Sequence, residues 1–215
     1  MSKYHWSEKA LLLAILFLLS TILPLPVHSQ EGEDEQHRQV PGLDVIILVD
    51  ESETMWNQTD TEGVRVNTVN FFTDMLVSEQ SGPPHRLGII AFGSSPQMIP
   101  YTLLDGQEAA EELKEQYAAV HKRIEPYRNR QHTDINEALR AALTLIEQEH
   151  DPDRKTAVIL ISDGQPTNAK VSEEKGQDVV LAYLEETRTL LEQLRDYPYE
   201  DIICPSTEGA PLYMV

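Results

Sequence analysis

The stretch LDVIILVDESETM, residues Leu43 to Met55, decides the fold class of this chain. Its start is an almost unbroken aliphatic run of strand length, which is typical of a strand buried on both faces of a parallel sheet. The run ends in an acid and two hydroxyl residues at alternate positions, namely Asp50, Ser52 and Thr54. All three side chains carry oxygen, so the end of this strand is a candidate binding site.

Helical and strand patterns alternate along the rest of the chain. Two further aliphatic runs, RLGIIAF and KTAVILIS, predict buried strands, and QMIPY predicts an edge partner for the first of them. Apolar stripes at helical spacing predict four helices, marked by Val66, Val69, Phe72 and Leu76; by Ala109, Leu113, Tyr117, Val120 and Ile124; by Ile135, Leu139, Ala142 and Ile146; and by Val180, Leu184, Leu191 and Leu194. This order predicts an α/β fold with a doubly wound (Rossmann-like), mostly parallel sheet and helices on both faces.

Ligands of doubly wound sheets bind beyond the carboxyl ends of the strands. That edge should carry the loop at Asp50 and the loop at Asp163, which follows the strand KTAVILIS. Thr133, in the segment HTDINEAL, is a third candidate donor. Asp, Ser and Thr after a strand are also ordinary caps of the next helix. Two carboxylates with three hydroxyls, however, suit a small hard cation such as Mg²⁺, with Mn²⁺ and Ca²⁺ as alternatives.

These three segments resemble the von Willebrand factor type A domain, whose metal-ion-dependent adhesion site is built from an Asp-x-Ser-x-Ser loop, a distant Thr and a distant Asp. Residues Asp50 to Met55 look like the first loop, Thr133 to Leu139 like the second, and Ile159 to Thr167 like the third. The resemblance covers roughly Leu43 to Leu194, and three motifs in the right order make it specific.

The resemblance implies one divalent cation and no catalytic residue. Its ligands would be Asp50, Ser52, Thr54, Thr133 and Asp163. A coordination position left to a carboxylate of a partner protein would make the chain an adhesion-type binding module, and not an enzyme. Thr54 stands where Ser is usual, Glu53 where Gly is common, and Gln131-His132 place bulk before the second-loop Thr.

Two other functions remain open at this point. A metal-dependent phosphohydrolase on a similar fold commonly needs a second acid two residues after its nucleophilic Asp, but Ser52 occupies that place here. A structural subunit of an envelope complex, with a vestigial metal site, is the other alternative. Asp134, with Glu137 three residues on, fits a helix-capping pattern and is expected to be structural.

The first residues have the features of an export signal. Lys3 and Lys9 precede the uncharged run ALLLAILFLLSTIL, and we expect residues 1–29 to be a signal peptide cleaved after Ser29. The competing interpretation is an uncleaved N-terminal membrane anchor, which would tether the chain through residues 10–27. An acidic linker over residues 30–40 and a domain over residues 41–215 should follow, placed in the secreted fraction or on the extracytoplasmic face of the membrane.

The charge of the chain excludes one class of partner. It has 36 acids and 17 bases, a formal charge of −19, which repels DNA and RNA and favours metal ions and cationic partners.

After Leu194 the only segments with a strand pattern are DIIC and APLYMV. We therefore expect a sheet whose C-terminal strand or strands are truncated, and a type A domain incomplete at its C-terminus.

Overall fold

The computed structural model of the chain describes residues 41–78, 82–163, 177–195 and 212–214. The predicted signal peptide or anchor, the acidic linker, the end of the third motif from Gly164 to Thr167, and the segment DIIC lie outside the described residues. None of the helices within those ranges combines the length and the hydropathy that crossing a membrane requires.

Strands and helices alternate along the described residues as the sequence predicts. In chain order they are β1 (Gly42–Asp50), α1 (Val64–Ser78), β2 (His85–Phe92), β3 (Gln97–Leu104), α2 (Gln107–Ile124), α3 (Ile135–Glu149), β4 (Arg154–Ile161), α4 (Gln177–Arg195) and β5 (Leu212–Met214). A short π-helix, Met55–Thr59, follows β1, and a 3-10 helix, Glu125–Arg130, follows α2.

The five strands form one sheet in the order β3-β2-β1-β4-β5. β1 pairs in parallel with β2 and β4, β4 pairs in parallel with β5, and β3 lies antiparallel to β2 at the edge. The chain winds outward from β1 to β3 and then returns to β4 on the other side of β1. This confirms the predicted doubly wound, mostly parallel fold, and the strand order reverses between β1 and β4.

Successive residues of β1 pack into two different cores, because side chains alternate across a strand. Val45, Ile47 and Val49 pack with apolar residues of α1 and α2. Ile46 and Leu48 pack with apolar residues of α3 and α4. All five side chains are almost completely buried, so helices cover both faces of the sheet as the unbroken aliphatic run predicts.

The apolar stripe of α4 follows the prediction at Leu191 and Leu194, which pack on the core, but differs from it nearer the start of the helix. Val180 and Leu184 are 39% and 47% exposed, whereas Tyr183, Leu190 and Leu194 are buried. The Tyr183 hydroxyl donates to Asp134 Oδ1 at 3.2 Å and accepts from the Asn136 backbone N–H at 3.2 Å, which turns the Tyr183 face toward α3. This polar contact at the start of α3 therefore decides which apolar face of α4 is buried. The spacing of apolar residues alone does not distinguish the two faces.

An ion cluster closes the amino edge of the sheet. Asp44, at the start of β1, is 2% exposed and accepts hydrogen bonds from Arg86 of β2 and from Arg154 of β4. Arg154 also donates to the Pro84 carbonyl. The carboxylate thus joins three neighbouring strands at one point.

Replacing Asp44 by Asn should destabilise the fold by about 3–5 kcal/mol, because it leaves the buried Arg154 cation without its counter-charge. The free energy of unfolding from urea titration measures this. The matched control is Asp153→Asn, which removes an exposed acid next to Arg154 and should change stability by less than about 0.5 kcal/mol. Equal stability of the two variants would contradict a structural role for the Asp44 cluster.

Candidate metal centre

The carboxyl edge of the sheet is centred on Asp50, the last residue of β1. Asp50 is fully buried, and its carboxylate is held by two neutral donors. Its Oδ1 accepts from the Ser52 backbone N–H at 2.8 Å, and its Oδ2 accepts from the Ser162 hydroxyl at 2.7 Å. Ser162 directly follows β4, so these bonds tie the first loop to the third across the point where the strand order reverses.

The environment of Asp50 disfavours its own negative charge. Burial raises the pKa of the Asp50 carboxyl above its ordinary value of 3.8, the bonds from Ser162 and Ser52 act in the opposite direction, and the nearby charge of Asp163 raises the pKa further. Within the described residues, no Lys or Arg forms an ion pair with Asp50. A buried carboxylate without a protein counter-charge is the kind of group that a bound cation stabilises.

Two hydroxyls of the first loop lie side by side. Ser52 Oγ and Thr54 Oγ1 are 3.1 Å apart, and Ser52 is 1% exposed. Thr54 has helical backbone angles and stands just before the π-helix, without a side-chain capping bond. This early turn brings the alternate hydroxyls of the loop together next to the Asp50 carboxylate, so the first three residues predicted as ligands lie side by side.

The second loop is fastened to the first through the backbone. The Glu53 N–H donates to the Gln131 carbonyl at 3.1 Å, and the Asp134 N–H donates to the carbonyl of Gly93, just past β2, at 3.1 Å. Thr133 lies between these two attachment points and is 1% exposed. The fourth predicted ligand is thus held at the same edge of the sheet as Asp50.

Asp163, the fifth predicted ligand, also lies beside the first loop. The Thr59 hydroxyl donates to Asp163 Oδ2 at 3.2 Å, and the preceding residue, Ser162, is the one that contacts Asp50. The first loop is therefore hydrogen-bonded to both the second and the third loop at one edge of the sheet.

The donor set fits a hard cation. The described residues contain no cluster of three or more His, Cys, Asp or Glu side chains able to hold an ion. The edge instead offers the carboxylates of Asp50 and Asp163 together with hydroxyls of Ser52, Thr54 and Thr133. Oxygen-only sets of this kind suit Mg²⁺, Mn²⁺ and Ca²⁺ better than the softer metals that prefer thiolate or imidazole ligands.

The bulky side chain of Gln131, before the second-loop Thr, fits because residue 93 is a glycine. A Cβ atom on Gly93 would lie 2.5 Å from Gln131 Oε1 and 3.1 Å from Gln131 Cβ, so the Gln131 side chain fills the space that Gly93 leaves. Its Oε1 accepts from the Ser94 N–H at 2.9 Å. Gln131 therefore braces the second loop, while Glu53, the other bulky departure, is exposed to solvent.

Asp134 has the capping role that the sequence predicts. Its Oδ1 accepts from the Glu137 N–H at 3.3 Å, at the start of α3. The reciprocal half of the capping pattern is absent, because the Asp134 N–H donates to Gly93 and the Glu137 side chain pairs with Arg140.

Glu51, to which sequence reasoning gave no role, anchors the first loop from behind. Its side chain is fully buried and accepts from Arg65 of α1, through Nε at 3.2 Å and Nη2 at 3.0 Å. Tyr117 of α2 donates to its other oxygen at 3.0 Å, and His121 Nδ1 lies 2.8 Å from that oxygen. Burial, with Glu51 nearby, raises the pKa of Tyr117 well above its ordinary value, so this phenol remains a neutral donor.

The same cluster fixes the π-helix. Trp56 stacks on His121, with ring centroids 4.3 Å apart, and the Arg65 guanidinium lies 4.6 Å from the Trp56 ring centroid. Arg65 also bonds to Asp60, just past the π-helix. The first loop is thus bound to α1 and α2 on both sides of its hydroxyl pair.

The sequence pattern gives only weak signals for Ser162, Glu51 and Thr59, to which the prediction gave no role. Ser162 immediately precedes a candidate ligand at a strand end, which is a position from which a hydroxyl can reach the neighbouring strand. Nothing in the local pattern distinguishes Glu51 from Glu53, although the first is buried and the second exposed. Thr59 contacts Asp163 only because the π-helix turns the chain back toward the third loop.

Replacing Arg65 by Met should destabilise the domain by about 3–5 kcal/mol, because Glu51 would then be a buried carboxylate without a cation. Adding Glu51→Gln to this variant should restore part of the loss, since the second change removes the stranded charge. Urea unfolding of the two single variants and the double variant forms a thermodynamic cycle. Additive losses would contradict the coupling between these residues.

Comparison with known proteins identifies the architecture. A family model described as the von Willebrand factor type A domain matches residues 45–165. A search of curated proteins gave no match. Proximal thread matrix protein 1 from the mussel byssus superimposes with a TM-score of 0.50 at 17% identity, over 82% of this chain and 38% of its own. A second structure of that protein, with a zinc-occupied MIDAS motif, gives the same values.

The pilus adhesin SpaC from Lactobacillus rhamnosus GG matches with a TM-score of 0.46 at 21% identity, over 64% of this chain and 16% of the adhesin. This chain therefore spans well under half the length of the solved proteins that it matches. At 17% identity, the mussel byssus structures show a shared fold.

Proposed function

The chain belongs to the von Willebrand factor type A domain family, and from this premise we propose that it is a divalent-metal-dependent protein-binding module of the adhesion type. Asp50, Ser52, Thr54, Thr133 and Asp163 would hold the ion in a metal-ion-dependent adhesion site. Mg²⁺ is the proposed native ion, with Mn²⁺ and Ca²⁺ as alternatives. The zinc reported in the MIDAS motif of the mussel protein is consistent with a divalent ion at such a site.

One observation carries the proposal: Asp50 is fully buried, accepts only neutral hydrogen bonds from the residues that the structure describes, and has an acid, Asp163, as a charged neighbour. In the absence of a cation this arrangement is electrostatically unfavourable. A divalent ion would favour the ionised form of both carboxylates, and the neighbouring hydroxyls would supply neutral oxygen ligands.

Chemically, the bound ion would act as a Lewis acid that attracts a carboxylate of the partner. Asp50 and Asp163 would hold the ion partly through water, and the three hydroxyl ligands would be neutral. The ion would therefore not be fully neutralised by its own ligands and would attract an added carboxylate. We accordingly propose a protein partner that offers an acidic side chain.

The site favours binding over hydrolysis. The phosphohydrolase alternative needs a second acid able to transfer a proton, and the position two residues after Asp50 is Ser52. The adjacent Glu51 cannot replace that acid, because both its oxygens are already bonded to Arg65, Tyr117 and His121 in the core. We therefore propose no catalytic role for these residues.

Export is proposed from the sequence. A basic flank followed by an apolar run would place the domain in the secreted fraction or on the extracytoplasmic face of a membrane, after cleavage near Ser29 or with a tether through residues 10–27.

Replacing Asp50 by Asn should abolish metal-linked stabilisation. Wild-type protein should gain about 2.7 kcal/mol at a Mg²⁺ concentration one hundred times its dissociation constant, and Asp50→Asn should gain almost nothing. In EDTA the variant should be at least as stable as wild type. The raised pKa of Asp50 means that the metal-free wild type loses stability as the pH rises through that pKa, a loss that Asn does not suffer.

Thermal unfolding with and without Mg²⁺, together with calorimetric titration of Mg²⁺ and Mn²⁺, provides the measurement. Asp105→Asn is the matched control, since it removes one exposed acid at the opposite edge of the sheet. Metal-linked stabilisation retained by Asp50→Asn, or lost equally by Asp105→Asn, would overturn the proposed site. Capture of a partner that persists in EDTA would overturn metal dependence.

A further inference from the structure

Four of the 17 basic residues of this acidic chain lie in one short segment that leads to the candidate metal centre. The segment Lys122–Arg130 carries Lys122, Arg123, Arg128 and Arg130 but only one acid, Glu125. We call it the basic segment. It runs from the last turn of α2 through the 3-10 helix and ends immediately before the second loop. It is a local cationic region on a molecule whose formal charge is −19.

The cations of the basic segment also differ from the others in their pairing. Arg65, Arg86 and Arg154 are in ion pairs within or near the core, and Lys114, Arg140 and Arg188 are in ion pairs nearer the surface. By contrast, Lys122, Arg123 and Arg130 are exposed and form no ion pair with any residue that the structure describes. Arg128 is 43% exposed and lies 3.5 Å from the equally exposed Glu125, a contact that solvent screens strongly.

Helix electrostatics explains part of this pattern, because Lys122 and Arg123 lie in the last turn of α2, where cations are favoured. Arg128 and Arg130 lie in the last turn of the short 3-10 helix that follows, where the same effect applies over fewer residues. Tyr127, which directly precedes Arg128, is 59% exposed. Exposed arginine and tyrosine together are typical of protein interfaces.

Direct contacts place the end of this segment against the π-helix and next to the first loop. Asn57 Nδ2 donates to Asn129 Oδ1 at 2.9 Å, and the Glu53 N–H donates to the carbonyl of Gln131, the residue after Arg130. The Ser94 hydroxyl donates to the Arg130 carbonyl at 3.1 Å. The basic segment therefore borders the loop that carries Ser52 and Thr54.

We propose that the basic segment is a second contact surface for the partner, which is a protein segment with several acidic side chains and not a lone acid. This inference rests on the proposed function, since one acid of the partner would complete the coordination of the ion. Further acids of the same segment would pair with Arg123, Arg128 and Arg130, and Tyr127 would pack against its backbone or aliphatic carbons. The surrounding acidic surface would repel that segment everywhere else, which would direct it to this edge.

The test compares two peptides of equal length in the presence of Mg²⁺. One alternates Glu with Gly, and the other contains a single Glu among Gly residues. The full chain should bind the multi-acid peptide more tightly, and Arg123→Gln combined with Arg130→Gln should weaken that binding roughly fivefold, as expected for two exposed ion pairs. Binding of the single-Glu peptide and of Mg²⁺ itself should not change.

The matched control is Arg188→Gln combined with Arg195→Gln, which makes the same charge change on α4. If both double variants weaken multi-acid binding equally, net charge accounts for the effect and the inference fails. It also fails if Arg123→Gln with Arg130→Gln binds like wild type, or if a heparin fragment binds the basic segment more tightly than the peptide does.

Asp50→Asn separates this inference from the function on which it rests. If that variant abolishes binding of both peptides while the Arg123 and Arg130 changes have no effect, the metal site stands and the second surface does not. If peptide binding is unchanged in Asp50→Asn and in EDTA but falls when Arg123 and Arg130 are replaced, the basic segment binds acids alone and the metal-dependent function fails.

Discussion

The burial of β1 on both faces is the constraint on which the rest of the structure depends. Val45 to Val49 leave no place for a polar side chain, because each residue points into one of two helix-covered cores. Polar chemistry is therefore confined to the two ends of the strand, at Asp44 and Asp50, which are both buried acids. At both ends a buried negative charge needs compensation, but the surroundings of the two acids differ.

Asp44 is neutralised by arginines, whereas Asp50 forms no ion pair with a Lys or Arg in the described part of the chain. Two arginines surround Asp44, so its charge is compensated as soon as β2 and β4 pair with β1. Asp50 receives one amide and one hydroxyl, which orient its carboxylate but bring no positive charge. The amino edge of the sheet is consequently a structural junction, whereas the carboxyl edge retains a need for a cation.

Asp50 and Glu51, which are consecutive acids in the first loop, have different roles. Glu51 points toward α1 and α2, where Arg65 supplies its counter-charge, and this fixes the loop whether or not an ion is bound. Asp50 and Ser52 on either side are left free of cationic partners among the described residues. A loop held by its own ion pair can present hydroxyls and a carboxylate without first having to be ordered by the metal, which reduces the entropy lost on binding.

Sequence patterns predicted the sheet and most helices because their signals are local and redundant. The run LDVIILV specifies a doubly covered strand by composition alone, and Pro100 in β3 marks an edge strand. In α4, Leu191 and Leu194 pack on the core as predicted. Val180 and Leu184 were assigned to the core wrongly, because Tyr183 is held by Asp134 and Asn136, a contact between helices far apart in sequence. Ser162, Thr59 and Glu51 escaped notice for the same reason: their partners are set by tertiary structure, and one glutamate in a loop looks like another.

The net charge of the chain is a poor guide to what its metal edge attracts. A charge of −19 predicts cationic partners, yet an ion at Asp50 would seek a carboxylate. These tendencies act at different distances. Charges separated by more than about 8 Å are largely screened at physiological ionic strength, so remote acids contribute little at the site itself. The basic segment, which is bonded to the π-helix through Asn57 and ends one residue before Gln131, the partner of Glu53, adds positive charge next to the first loop. The acidic rest of the surface chiefly repels an acidic partner that approaches in another orientation. The overall negative charge is therefore compatible with an acidic partner.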